Sequence, residues 1–190
     1  MSAARKAMID SQLRTSGVNE AFVLSRMSAV AREDFVPEAA KSVAYMDRAV
    51  PLGDGHFLPA PLVHGKILSE AAPDAGDRVL VVEGGTSYLA ELTRPLVAQL
   101  DSISAEEAAG KPSLGKSYSL ILVEGAIEHL PEGLAALLRD NGRIVTGLVL
   151  RGVTRLASGR KVAGKVALQP LAEIGIPVLH EFDRPKEWNF

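Results

Sequence analysis

The stretch Asp77-Arg78-Val79-Leu80-Val81-Val82-Glu83-Gly84-Gly85-Thr86 decides how this sequence folds. After Arg78 the residues are apolar without alternation and mostly β-branched, the pattern of a short strand buried on both faces of a sheet. A glycine turn follows, and then an amphipathic stretch over residues 87–94. Strand, glycine turn and helix together open a βαβ unit, which predicts a parallel sheet.

Downstream, residues 96–101 (LVAQLD) predict a second strand ending on Asp101, and residues 117–124 (SYSLILVE) a third ending on Glu124. Residues 130–139 predict a helix with Pro131 near its first turn, and Asn141-Gly142 predicts the turn into a strand over 143–150. Runs at 153–157 and 161–169 flank Ser158-Gly159-Arg160, which predicts a closing antiparallel hairpin. Residues 102–116 are the most loop-like stretch of this half. Glu83, Asp101 and Glu124 would share one sheet edge, but their spacing demands no cation, and no metal site is expected.

Upstream, helical spacing predicts helices over 4–14, stopped by Gly17, and over 20–30, with Asn19 as N-cap. Pro51, Gly53, Gly55, Pro59 and Pro61 make residues 45–61 an ordered loop or lid, with Phe57 and Leu58 as an apolar plug or, alternatively, a partner-contact patch. A further helix is expected over 62–72, where His64 is either a surface or satisfied histidine or one facing a pocket at the sheet edge. Thr86 is the natural N-cap of the helix after the glycine turn.

The 190 residues, 47% hydrophobic and 23% charged, suit one globular domain. Its parts are an N-terminal helical and lid segment (1–61), a central α/β core (62–150) and a hairpin with tail (151–190). A formal charge of -2 supplies no field for a phosphate backbone or an anionic lipid surface, so neither nucleic acid nor membrane is an expected partner. With no cysteine, thiolate metal sites, disulfides and a Cys nucleophile are excluded. No apolar run reaches the length of a membrane span, and the cytoplasm is the expected compartment. Trp188 and Phe190 are expected to pin the tail against the domain.

Several stretches together resemble the bacterial protein-L-isoaspartate O-methyltransferases. They are Met8-Ile9-Asp10-Ser11-Gln12-Leu13-Arg14, Arg32-Glu33-Asp34-Phe35-Val36-Pro37, Pro51-Leu52-Gly53-Asp54-Gly55, residues 118–131 (YSLILVEGAIEHLP) and residues 140–145 (DNGRIV). The resemblance implies a shortened Rossmann-like methyltransferase fold, α/β, with a mostly parallel sheet, an N-terminal helical segment and a C-terminal antiparallel hairpin. It implies S-adenosylmethionine as cofactor and a protein or peptide carrying isoaspartyl carboxylates as substrate; a homodimer is left open.

On that resemblance the cofactor would meet Gly84, Gly85, Thr86, Asp101 and His64. Asp101 would take the ribose hydroxyls, as acidic residues do in dinucleotide folds. Glu83 would stand at the first glycine of the acidic-x-Gly-x-Gly-x-Gly pattern, with Val81 at its acidic position. Phe57 takes the place of the family's Thr and Pro59 that of its Ser. Proline offers neither a hydroxyl nor an N–H to steer a carboxylate, so no catalytic residue is assigned with assurance, and weak or absent activity is expected. The competing reading is a non-catalytic module that kept the scaffold for protein association. The shortness of residues 102–116 implies the loss of one strand and of much of the adenine pocket.

Overall fold

The computed structural model describes residues 2–184. Helix α1 (Ala3–Met8) runs on through a wide turn, Ile9–Leu13, and a tight one, Arg14–Ser16, to Gly17. Gly17 has φ 81°, a left-handed position that glycine takes without a Cβ penalty. Helix α2 (Ala21–Ala29) buries Val23, Leu24 and Met27, and its N-cap is Glu20, not Asn19.

The expected loop proves to hold a hairpin, β1 (Val50–Gly53) against β2 (His56–Leu58). Asp54 and Gly55 turn it at φ 50° and 81°, the signs a tight two-residue hairpin needs. Pro51 is tolerated inside β1 because a two-stranded ribbon leaves one side of each strand free of ladder bonds.

Helix α3 (Pro61–Ala71) starts with proline in its first turn and packs seven residues inward. Then come β3 (Arg78–Glu83), α4 (Tyr88–Thr93), β4 (Gln99–Ser104), α5 (Ala105–Ala109), β5 (Tyr118–Ile127), α6 (Glu132–Leu137), β6 (Leu138–Leu150), β7 (Val153–Val162) and β8 (Lys165–Glu173). The sheet order is β4-β3-β5-β6-β7-β8. Its first four strands are parallel, and β7 and β8 return antiparallel.

The apolar run of β3 is explained by two cores. Val79 and Val81 join Leu120 and Leu122 under α1, α2, α3 and α4, whereas Leu80 and Val82 join Ile121 and Val123 under α5 and α6. Alternate side chains leave opposite faces of a strand, so a sheet covered on both sides needs no polar positions.

Three boundaries differ from expectation. The Ser158-Gly159 tip lies inside β7, where a Cβ on Gly159 would meet the Ala167 carbonyl at 2.7 Å. The turns are Arg151-Gly152 and Ala163-Gly164, both with two positive φ values. Asn141 (φ 61°) bends the first part of β6 instead of preceding it. Residues 105–117 contain α5 and no strand, so β4 is the sheet edge. Trp188 and Phe190 lie outside the described residues.

One partly buried ion pair ties α3 to the sheet. Arg143 donates to both oxygens of Asp77 (3.2 and 2.7 Å) and to the carbonyls of Ala71 and Ala72, while Ser119 donates to Asp77 at 2.6 Å. Burial alone would raise the Asp77 carboxyl, but the bonds from Arg143, Ser119 and the Asp74 N–H outweigh it and hold it below its ordinary value. A depressed carboxylate stabilises the fold above its unfolded pKa, and that contribution is lost as pH falls through the folded one. Urea midpoints are therefore expected to decline below about pH 4 in the native chain. That decline should be shallower in Asp77→Asn; an equal decline in both would remove Asp77 as its source.

Candidate functional site

The edge formed by the C-terminal ends of β3 and β5 is the expected place for a ligand in a parallel sheet of this kind. Here β3 ends on Glu83, and Gly84 follows with no room above it. A Cβ on Gly84 would lie 2.1 Å from the Glu124 carbonyl, and one on Gly85 (φ 127°) would lie 2.9 Å from His56 Cβ and 3.1 Å from Leu52. The hairpin therefore rests directly on the glycine turn. On the other side, the segment 176–182 lies along β5, with Leu179 N–H donating to the Ala126 carbonyl and Ala126 N–H donating to that of Pro177. Leu179 presses on Gly125, where a Cβ would meet it at 2.4 Å.

What remains between hairpin, Gly84 and residues 177–181 is a cavity of about 100 Å³. Clefts that hold small-molecule ligands or cofactors usually measure roughly 300–1,000 Å³. The expected plug is corrected in part. Phe57 lines this cavity while remaining 37% exposed, Leu58 is buried away from it, and Leu52 and His56 cover the glycine turn itself.

Beneath this edge lies a buried polar chain that the sequence reading did not assemble. Glu124 follows Leu120 and Leu122 at the strand period and so points to the face covered by α3. There it meets His64 Nε2 at 2.6 Å. Arg32, from the 3-10 turn Arg32–Phe35, reaches His64 Nδ1 at 3.2 Å. A guanidinium only donates, so Nδ1 must accept, which puts the proton on Nε2, facing the carboxylate. All three side chains are within 1% of full burial.

Arg32 also donates to the carbonyls of Ala44 (2.8 Å) and Pro59 (2.7 Å) and lies over the Tyr88 ring at 5.0 Å. Burial lowers the pKa of His64, against the opposing pull of its bond to Glu124, and so favours the neutral ring. Burial also pushes Tyr88 up to about 12, despite the nearby Arg32.

Of the two readings of His64, the structure takes the satisfied core histidine. Asp101 does not end its strand as expected. It pairs with Leu80 in the middle of β3, while Ser104 is the residue beside Glu83. Its carboxylate takes Lys116 Nζ at 3.1 Å and the Tyr118 hydroxyl at 2.9 Å. The misplaced boundary arose because β4 continues through the polar run Asp101-Ser102-Ile103-Ser104, which reads as loop. Glu83 closes β3, so the assignment of Val81 to an acidic strand-end position fails. Burial and the neighbouring Glu124 raise the Glu83 carboxyl, opposed by a bond with Ser102. Ser87, not Thr86, is the N-cap of α4, although the Thr86 hydroxyl accepts the Tyr88 N–H at its start. No group of three or more His, Asp or Glu among the described residues could hold a metal ion.

The sequence model of the family Protein-L-isoaspartate(D-aspartate) O-methyltransferase (PCMT) matches residues 3–110. The chain belongs to that family. A protein-L-isoaspartate O-methyltransferase of Methylorubrum extorquens (strain PA1) is 33% identical over 165 residues, 75% of this chain and 72% of that one. One from Methanoculleus marisnigri is 27% identical over 203 residues, 94% and 92% of the two chains. In fold, the chain matches a crystal structure described as a putative protein-L-isoaspartate O-methyltransferase of Plasmodium falciparum in complex with S-adenosyl-L-homocysteine. The TM-score is 0.76 at 16% identity, over 95% of this chain and all of that one.

The expected fold class, a mostly parallel methyltransferase sheet with a C-terminal antiparallel hairpin, is thereby established. Protein-L-isoaspartate O-methyltransferases use S-adenosylmethionine and act on proteins. No helix among the described residues is long and apolar enough to cross a membrane.

Proposed function

We propose that this chain is a protein-L-isoaspartate O-methyltransferase family member whose cofactor edge is filled by its own side chains, so that carboxyl methylation is weak or absent. The carrying observation is the cavity of about 100 Å³ over Gly84. Methyl transfer of this kind works by holding a reactive sulfonium methyl against a carboxylate oxygen, so a site that cannot seat the cofactor loses the reaction.

Three further features support the reading. Read from Glu83, the acidic-x-Gly-x-Gly-x-Gly pattern keeps its acid and Gly85. Its other glycines fall on Ser87 and Leu89, and Leu89 is already buried in α4. Helix α4 is only six residues long, which leaves a weak dipole for an anionic group. Pro59 stands at the family's Ser position with its carbonyl committed to Arg32. A substrate carboxylate would find neither hydroxyl nor N–H there.

Calorimetric titration with S-adenosylmethionine and S-adenosylhomocysteine tests this reading. No heat is expected at concentrations that reveal a dissociation constant of ~1 mM, about 4 kcal/mol of binding. Micromolar binding would overturn the proposal and make isoaspartyl peptides the next assay.

The alternative of a non-enzymatic module, acting through protein association, shares the closed edge. It adds the requirement that the folded surface binds a partner.

A further inference from the structure

We propose that Arg32, His64 and Glu124 form an acid-sensitive latch, in which protonation of His64 releases Arg32 and frees the hairpin between Ala44 and Pro59. Arg32 holds both ends of that segment. Its Nε binds the Ala44 carbonyl and one Nη the Pro59 carbonyl, while the other Nη depends on the lone pair of His64 Nδ1. A second proton on the ring removes that lone pair, turns the bond at Nδ1 from Arg32 to the Ala60 carbonyl, and sets two cations 3.2 Å apart in a site closed to water. Glu124 lies on the far, Nε2, side of the ring, with its second oxygen taking the Gly84 N–H at 3.4 Å, and so does not stand beside the lost acceptor.

The ionisable groups facing His64 are Glu124 from β5, Arg32 from the 3-10 turn and the Tyr88 phenol from α4, whose ring lies 4.8 Å away. Among the described residues no other ionisable side chain makes a hydrogen bond or ion pair with it. Burial holds the closed-state histidine below its ordinary value. Opening returns it towards ~6.5, so the open form binds the proton more tightly and acid favours opening. Linkage then gives an opening constant that rises about tenfold per pH unit below ~6.5, until the closed form itself takes the proton. The opening rests on these contacts alone; that it uncovers the former cofactor edge rests on the reading proposed above. His56 and Leu52 are the hairpin residues that would lift from Gly85.

Hydrogen–deuterium exchange of the full chain between pH 7.5 and 5.0, corrected for intrinsic rates, tests the latch without any cofactor. Protection in residues 44–59 is expected to fall about tenfold per pH unit below ~6.5, while β3 and β5 keep theirs. His64→Gln should abolish the dependence, because its amide oxygen can accept from Arg32 and its NH2 can donate to Glu124. Loss in step with β3 and β5, no acid dependence at all, or an equal dependence in His64→Gln would overturn the proposal. Should that variant not fold, the ring titration of His64 in the native chain decides by NMR. Its midpoint must follow the loss of protection, and a loss that follows His56, His129 or His180 defeats the latch. Failure of the latch leaves the calorimetric result untouched, and the reverse holds equally.

Discussion

Glu124→Ala is expected to remove about 3–5 kcal/mol of stability, read from urea unfolding at pH 7. The carboxylate is 1% exposed and is the counter-charge, through His64, of a guanidinium with no access to water. Its removal strands the Nε2 proton of His64, leaves the Arg32 charge uncompensated and opens a void beside α3. Against a total stability of roughly 5–15 kcal/mol, that is enough to leave much of the chain unfolded when warmed. Glu124→Gln keeps an acceptor for His64 and fills the same space, so it is expected to cost only about 1–3 kcal/mol. Replacing Arg32 and Glu124 together by Met and Leu should not restore the native value. The carbonyls of Ala44 and Pro59 would then be buried without donors. A loss below ~1 kcal/mol in Glu124→Ala would show that the carboxylate is solvated and the chain of contacts is not formed.

Gly84→Ala is expected to be the most damaging single-methyl change, about 3 kcal/mol or more. The new carbon would sit 2.1 Å from the Glu124 carbonyl, a backbone atom that cannot rotate aside as a side-chain terminus can. Relief requires β3 and β5 to part just above Val82 and Val123, where their ladder ends. Gly175→Ala is the control, because a Cβ there meets nothing within 4 Å. It should be neutral, or stabilising by about 0.4–1 kcal/mol through the unfolded chain. Equal thermal midpoints for the two variants would mean that β3 and β5 are not held together at Gly84 as described.

The core strands were legible because burial on both faces erases alternation, and residues 79–82 and 118–123 show this directly. The hairpin at Val50–Leu58 was hidden by its own turn chemistry, since glycines and prolines mark loops and tight hairpins alike. Asp101 was misplaced because β4 stays polar to its end at a sheet edge, where only one side of the ladder is filled. Arg32, His64 and Glu124 come from three elements 32 and 60 positions apart, and no local period links them. The strand period alone could have aimed Glu124 at the α3 side. Nothing in the sequence could have told that Arg32 would reach it through a histidine.

The close approach of Gly84 to Glu124 also limits how this sequence can change from here. Any larger residue at 84 collides with a main-chain carbonyl, and any shorter residue at 124 strands a buried cation. One contact is made by a main-chain atom and the other by a buried charge, so positions 84 and 124 are expected to change together or not at all. The junction of β3 and β5 therefore works as a ratchet: easy to keep under drift, and hard to leave one substitution at a time.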